Sequence, residues 1–318
     1  MRLLNVHTRT LHEFSSEPPA FLITSHTWEN EEVQQWELDD LESVRRMKPK
    51  SAKKIDVFLD HAAKAGYDWM WMDTICIDQT NDEEVSAAVN AMYQWYEGAA
   101  VCLAYLSDVS LASSGGWGEQ FKASKWFTRG WTLQELLAPR NVIFLDKNGQ
   151  RLGSLHDEKI LGLVEETTGI PPDILTHKTP VHKAPVAQRM AWAAQRRTKR
   201  PEDIAYSLLG IFGVNTKLSY GEGAERAFVR LQEEILRMTD DPSIFAWRMV
   251  PGMPTGQYGL FAPSPKCFVD AEGSVCGVPS ETRQALNDSY LGLSKEGLRV
   301  PADRNECLTL PFVEKMGP

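Results

Sequence analysis

Four short apolar runs limit what this chain can fold into. Residues 20–25 (AFLITS), 69–73 (WMWMD), 100–106 (AVCLAYL) and 142–145 (VIFL) have strand length and read as buried strands. Between them lie stretches with helical spacing. Ile55, Phe58, Leu59, Ala62 and Ala63 recur at that spacing within residues 51–65, and Gly66 ends the run. Val85, Val89, Met92 and Tyr96 do the same within 82–97. Strands alternating with helices of this length mean crossover units and a mainly parallel sheet. In such a sheet the segments after Ser25, Asp73 and Leu106 gather along one edge, where open α/β sheets take their ligands.

The third crossover is the richest in chemistry. A Ser/Gly-rich loop, 107–118, leads into SKWFTRGWTLQELLAP at 124–139. Thr128 is the expected N-cap of its helix, and Pro139 stops that helix at Ala138. Leu133, Leu136 and Leu137 form the buried stripe, while Trp131 and Glu135 stand four apart and share another face. The helix is expected to face the same crevice as His26 and Asp73. After the fourth strand, Asn148-Gly149 signals a hairpin. Residues 29–40 are acidic and poorly periodic, a loop with a short helix.

Beyond Ser154 the character changes. Residues 186–197, 201–212 and 221–238 read as helices, the last with a stripe of Phe228, Leu231, Ile235 and Met238. Pro201 suits a first helical turn, with Glu202 and Asp203 complementing the dipole. From Asp241 onward Pro and Gly are frequent and the apolar runs (SIFAW, YGLFA, GLRV, LTLPF) are short, an irregular or β-rich pattern. The expected organisation is a 1–154 core, a 155–240 helical extension packed on it, and a 241–318 irregular extension.

Composition removes several function classes. With 42% hydrophobic and 24% charged residues, the 318-residue chain has ample material for a core. A net charge of -9 argues against a general nucleic-acid binder, which needs a basic face. No apolar run approaches a membrane span, and the opening MRLLNVHTRT has no signal-like apolar stretch. Five scattered cysteines without a CxxC pair fit reduced thiols in a cytoplasmic protein.

Four constellations compete for the chemistry. Cys76 with His26 could form a thiol–base pair, but a buried cysteine at a strand end is the commoner meaning. The seven histidines show no ligand spacing, so no metal is expected. Asp73 and Asp78 lack the glycine-rich loop that would cradle a phosphate beside Mg²⁺. Glu135 with Trp131, Arg129 and Trp126 remains. A carboxylate can steady an oxocarbenium-like transition state, aromatic rings can stack on a base, and arginine can pair with phosphate. The set suits a nucleotide with a labile glycosidic bond, and it equally suits a buried structural corner.

Three ordered blocks then carry a resemblance. FLITSHTW (21–28), WMWMDTICIDQ (69–79) and SKWFTRGWTLQELLAPRNVIF (124–144) resemble the motif blocks of the fungal heterokaryon-incompatibility (HET) domain. VAQRMAWAAQRRTKRPEDIAYSLLGIFGVN and YGEGAERAFVRLQEEILRMTDDPSIFAW resemble the segment that commonly follows it. The resemblance implies a trigger of cell death when genetically different hyphae fuse. The HET domain is remotely similar to TIR domains, which implies a flavodoxin-like parallel sheet with helices on both faces and, in some members, NAD cleavage. In those enzymes a glutamate follows a tryptophan by a few residues on the helix after the third strand. Trp131 and Glu135 match that arrangement. Glu135 is therefore the expected catalytic residue, with Ser25, His26, Trp28, Asp73, Trp126, Arg129 and Trp131 expected around the substrate in one cleft. Arg129 has no TIR counterpart, and its place rests on its chemistry. NAD or a related nucleotide enters as substrate, with no cofactor, and activation is expected through self-association or a partner protein. Residues 29–50 do not read as the TIR loop over the nicotinamide pocket, and the helices after Ser154 have no TIR equivalent. A non-enzymatic module that nucleates a death complex is the competing expectation.

Overall fold

The computed structural model describes residues 1–113, 116–251, 253, 259–269, 292–294, 297–303 and 306–310. It divides into two compact units, Met1–Val181 and His182–Pro318.

The first unit is built on a seven-stranded sheet. Its strands are β1 (Arg2–Asn5), β2 (Leu11–Glu13), β3 (Leu22–His26), β4 (Trp69–Trp71), β5 (Val101–Tyr105), β6 (Val142–Leu145) and β7 (Arg151–Ser154), in the order β2-β1-β4-β3-β5-β6-β7. All four expected strands are present and mutually parallel: β3 pairs with β4 and β5, and β5 with β6. The strand read as 69–73 stops at Trp71, because Asp73 already opens a helical turn. The helices are α1 (Leu41–Met47), α2 (Pro49–Lys64), α3 (Asp73–Cys76), α4 (Asp82–Gly98), α5 (Trp117–Lys122), α6 (Thr132–Leu137), α7 (Glu158–Thr168) and α8 (Pro172–Leu175). Residues 29–40 contain one 3₁₀ turn, Gln35–Asp40.

The chain leaves β3 in one direction through α2 to β4, then crosses back over β3 through α4 to β5 and on through α6 to β6. Right-handed crossovers running in opposite directions must place their helices on opposite faces. The packing follows that rule. Phe58 of α2 meets His26 and Tyr105, which sit opposite each other in the β3–β5 register. Tyr96 and Trp95 of α4 meet Trp71, opposite Ile23 in the β3–β4 register. Since side chains alternate along a strand, His26 faces α2 while Ile23 and Ser25 face α4 and α6. The parallel core thus has the flavodoxin-like order, with its switch point between β3 and β5.

Three antiparallel strands flank this core. β7 returns from β6 as the hairpin signalled by Asn148-Gly149. Its loop is longer than two residues because the buried Asp146 carboxylate accepts the amides of Leu111 (3.0 Å), Asn148 (2.8 Å) and Gln150 (2.9 Å). β1 and β2 at the other edge had no sequence signal, since RLLN and LHE are too short to show a period.

In the second unit, α9 (Val186–Ala191) ends short of the expected residue 197. The expected helix 201–212 is two turns, α10 (Asp203–Tyr206) and α11 (Leu209–Phe212). The strongly amphipathic α12 (Ala224–Met238) buries Phe228, Leu231 and Ile235 as expected, but Met238 is exposed and Leu236 takes its place. Glu202 holds the entry to α12 by accepting the Gly221 and Gly223 amides at 2.8 and 2.9 Å. The late apolar run GLRV falls on β9 (Gly297–Asp303) and the start of LTLPF, through Leu310, on β10 (Glu306–Leu310), in an antiparallel sheet with β8 (Gly292–Ser294), while the rest of LTLPF lies outside the described residues. Part of YGLFA lies outside the described residues. Among the described residues no helix is long and apolar enough to cross a membrane.

The β6–β7 loop gives a direct test of this packing. Gly149 has φ 77°, and a Cβ there would lie 2.7 Å from Val57 Cγ1 on α2. Gly149→Ala combines a left-handed backbone with that collision and should cost about 2 kcal/mol. A melting temperature lowered by several degrees is the expected result; an unchanged one contradicts the close approach of this loop to α2.

Candidate functional site

The third crossover builds the site. Ser124 caps the 3₁₀ turn Lys125–Thr128, accepting Trp126 N, and donates to Asp108 Oδ1 at 2.6 Å. Thr128 is therefore part of that turn and does not cap α6. Trp131 occupies the N-cap position without a side-chain cap, and the Thr132 hydroxyl reaches back to Trp126 O at 2.5 Å and Arg129 O at 3.0 Å. As expected, α6 stops at Ala138 before Pro139. Every residue of α6 is buried, Glu135 included.

Glu135 is 6% exposed and receives a short hydrogen bond from the Ser25 hydroxyl. Ser25 Oγ in turn accepts the Trp126 indole N–H at 2.8 Å. A hydroxyl has one proton, so this chain runs in one sense: Trp126 to Ser25 to Glu135. On the other side Tyr96 hydrogen-bonds the Glu135 carboxyl while giving its proton to Thr24 O at 2.8 Å. Burial above all, with the charge of Asp73, pushes Glu135 up to about 8, against the pull of the Ser25 bond, the Arg129 guanidinium and the Tyr96 hydrogen bond.

A second cluster stands beside it. The half-buried Asp73 meets His26 Nε2 at 3.0 Å through Oδ1 and the Trp28 indole N–H at 2.6 Å through Oδ2. Burial raises this carboxyl, but His26, Trp28 and the Thr74 amide outweigh it and hold Asp73 below the usual carboxylate range. Behind His26, the fully buried Lys54 contacts His26 Nδ1 at 3.2 Å and Glu32 Oε1 at 2.5 Å.

The seven contact residues expected around the substrate thus take different positions. Ser25 and Trp126 are fully buried beneath Glu135, so Trp126, packed against Phe127 and Phe144, has no open face for stacking. His26 is buried under Asp73. Trp28, Asp73, Arg129 and Trp131 are half-buried and form the accessible part of the set. Two surface concavities, of about 440 and 430 Å³, lie elsewhere, against α1–α2 and beside β2, and include none of these residues. Sequence reasoning missed Tyr96, read as one of a helical stripe, and Lys54, a lysine one turn before Phe58 on the apolar face of α2. That placement was the available signal. Among the described residues no group of three or more His, Cys, Asp or Glu is placed to hold a metal ion. Cys76 is buried and its thiol is pushed up to about 12 by burial, which leaves it inert as a nucleophile.

Comparison with known proteins places this geometry in context. Residues 21–116 match the family model of the heterokaryon incompatibility protein (HET). Residues 226–259 match a domain of unknown function, DUF8212. The vegetative incompatibility protein HET-E-1 of Podospora anserina is 41% identical over 242 residues, 71% of this chain and 17% of that protein. The chain thus spans only a minor part of the length of the curated relative it matches. No solved structure matches.

The raised carboxyl makes a prediction about stability. Glu135 holds its proton up to about 8 in the folded protein, against 4.5 ordinarily. The folded state then binds more protons than the unfolded one between those values. This group's contribution is complete below 4.5 and is lost as pH rises through about 8. Gln accepts the Ser25 bond without titrating. Glu135→Gln should therefore melt a few degrees above the parent at pH 8, with the gap closing toward pH 4.5. Parallel melting curves across that range would rule out a proton trapped on Glu135.

Proposed function

The chain carries a heterokaryon-incompatibility (HET) domain, and from that premise we propose that it triggers cell death in fungal incompatibility by hydrolysing the nicotinamide–ribose bond of NAD. One observation carries the reading. A carboxyl with a strongly displaced ionisation lies beside the carboxyl end of β3, at the switch point of a flavodoxin-like sheet. Displaced carboxyls in such crevices are characteristic of reacting groups.

The chemistry assigns each group a task. As the C1′–N1 bond breaks, its electron pair passes to the pyridinium nitrogen and nicotinamide leaves neutral. Positive charge grows on the ribose, where an ionised Glu135 stabilises it. Water then adds at C1′ and loses a proton, giving ADP-ribose. The arriving pyridinium cation itself favours ionisation of Glu135. Trp131 and Trp28 offer half-buried rings for stacking, and Arg129 offers a cation for the pyrophosphate. Trp126 acts at one remove, by fixing Ser25. Asp73 adds negative charge to the same crevice, where the positive ribose develops. NAD is a substrate in this scheme, and no further cofactor takes part. Self-association, or a partner protein, is the proposed means of activation, since Glu135 must gain access to substrate.

A second reading has its own support. Glu135 is only 6% exposed, as fits a module that nucleates a death complex without chemistry. Purified protein incubated with NAD separates the two. Hydrolysis should release nicotinamide, and Glu135→Gln should lower turnover by about 100-fold or more with little loss of binding. With a free-enzyme value of about 8, only about one molecule in ten is ionised at pH 7. The ratio kcat/KM should thus climb about tenfold from pH 7 to a plateau above pH 9. Release that survives undiminished in Glu135→Gln excludes this carboxyl, and no release even from concentrated or crosslinked protein favours the module.

A further inference from the structure

The outer edge of β2 carries backbone groups and charges that the chain itself does not use. Asn5 N donates to Thr10 O at 2.8 Å, and Met1 and Phe14 exchange bonds of 2.9 and 2.8 Å. Thr10, His12 and Phe14 thus aim their backbone groups at β1, and the antiparallel ladder turns those of Leu11 and Glu13 outward. β2 ends its sheet, so these groups meet no strand among the described residues. The opposite edge is managed differently. At β7, Asp157 accepts the Ser154 amide at 2.6 Å and pairs with Arg151 at 3.8 Å.

The charges on β2 have no such match. Arg9 and Glu13 are exposed, and neither side chain has a hydrogen bond or ion pair among the described residues. They stand two residues to either side of Leu11. Leu11 also lines the concavity of about 430 Å³, together with Leu38 and with Trp36, which is 59% exposed. Charges on an edge strand ordinarily keep a second strand away. Here the two are opposite in sign and symmetric about Leu11, so one partner is matched: an antiparallel copy of the same strand.

We propose that this edge is a self-association surface, on which β2 of one copy pairs antiparallel with β2 of another about a two-fold axis at Leu11. In that register the two Leu11 residues exchange N–H···O bonds, and Glu13 of each copy stands beside Arg9 of the other. A two-fold axis perpendicular to the sheet keeps like faces together, so the Leu11–Trp36 walls of both copies meet on one face. A three-residue edge with one large aromatic makes a small interface, which fills at raised concentration.

The groove is walled by segments that begin in the candidate site. Gln35, Trp36 and Leu38 follow Trp28 in the loop after β3, and Asp78 and Thr80 follow Asp73 after β4. Arg2 of β1 joins the two, meeting Gln35 Oε1 at 2.9 Å and Glu84 at 3.1 Å, while Glu84 accepts the Asp78 amide at 2.9 Å. Pairing at β2 therefore engages both segments. The inference specifies the self-association proposed above as a route to activation, and only its link to turnover rests on NAD cleavage.

Sedimentation of the full chain over a range of concentrations should show a monomer–dimer equilibrium. Arg9→Glu and Glu13→Arg each bring like charges together twice across the two-fold, and each should weaken association by about tenfold or more. The double variant, Arg9→Glu with Glu13→Arg, restores the match and should dimerise like the parent. Melting temperatures equal to the parent's in all three variants show that the fold is kept. Leu11→Cys should give a crosslinked dimer on mild oxidation, because Cα atoms paired at such a site lie about 5.5 Å apart. Glu13→Cys should not, since its twin lies four residues along the edge, roughly 13 Å away. A chain that stays monomeric at every concentration overturns the proposal. So does a dimer that tolerates the single reversals, or one that the double variant fails to restore. If crosslinked Leu11→Cys dimers form and release no nicotinamide from NAD, NAD cleavage fails as the activity while the interface stands.

Discussion

The hydroxyl of Ser25 is the point on which this architecture turns. It accepts from Trp126 and donates to Glu135, joining β3, the 3₁₀ turn and α6 across gaps of 101 and 110 residues. All three side chains are buried, so each polar atom must find its partner within the protein. An apolar residue at position 25 leaves an indole N–H and a carboxyl unsatisfied at once. The short α6 has no amphipathic face to orient it, since it is buried all round. Its rotation about the sheet is fixed by this bond, by the Leu133, Leu136 and Leu137 contacts, and by Thr132 reaching back to the turn.

Two carboxyls beside this bond meet opposite fates, and the reason is their immediate company. Asp73 retains water on one side and is met by an imidazole, an indole N–H and an amide, all of which favour its charge. Glu135 has one hydroxyl donor and a tyrosine already committed elsewhere, in a fully enclosed setting. Burial then wins over hydrogen bonding for Glu135 and loses to it for Asp73. The separation is mutual, because the charge on Asp73 opposes a second charge nearby. Groups set apart in this way are suited to proton and charge chemistry.

Much of the frame was legible because period and length leave few choices. The four parallel strands, the helices α2, α4 and α12, the stop at Pro139 and the hairpin at Asn148-Gly149 follow from residue spacing and turn chemistry. The misses have physical causes. β1 and β2 are four- and three-residue strands that exist through their partners, below the length at which a pattern can show. Thr128 was the better cap by residue type, yet the chain winds a 3₁₀ turn there because Ser124, four residues earlier, is anchored on Asp108. Met238 continues the stripe of α12 by spacing but lies in its final turn, where burial ends.

The sequence by itself determined that Glu135, Ser25, His26 and Asp73 stand near the ends of parallel strands. Chain direction and right-handed crossovers leave those ends on one edge. It did not determine which side chains are reachable there. Trp126 and Trp131 are five residues apart and equally suited to stacking by type, but only the tertiary structure closes one beneath Phe144 and leaves the other half-buried. Nor does a residue letter carry a protonation state. Whether a carboxyl is charged depends on the water it has lost and the donors it has gained, and those come from residues as distant as Tyr96, Asp73 and Ser25. Spacing along the chain records none of these distances, so the raised ionisation of Glu135 follows from packing alone.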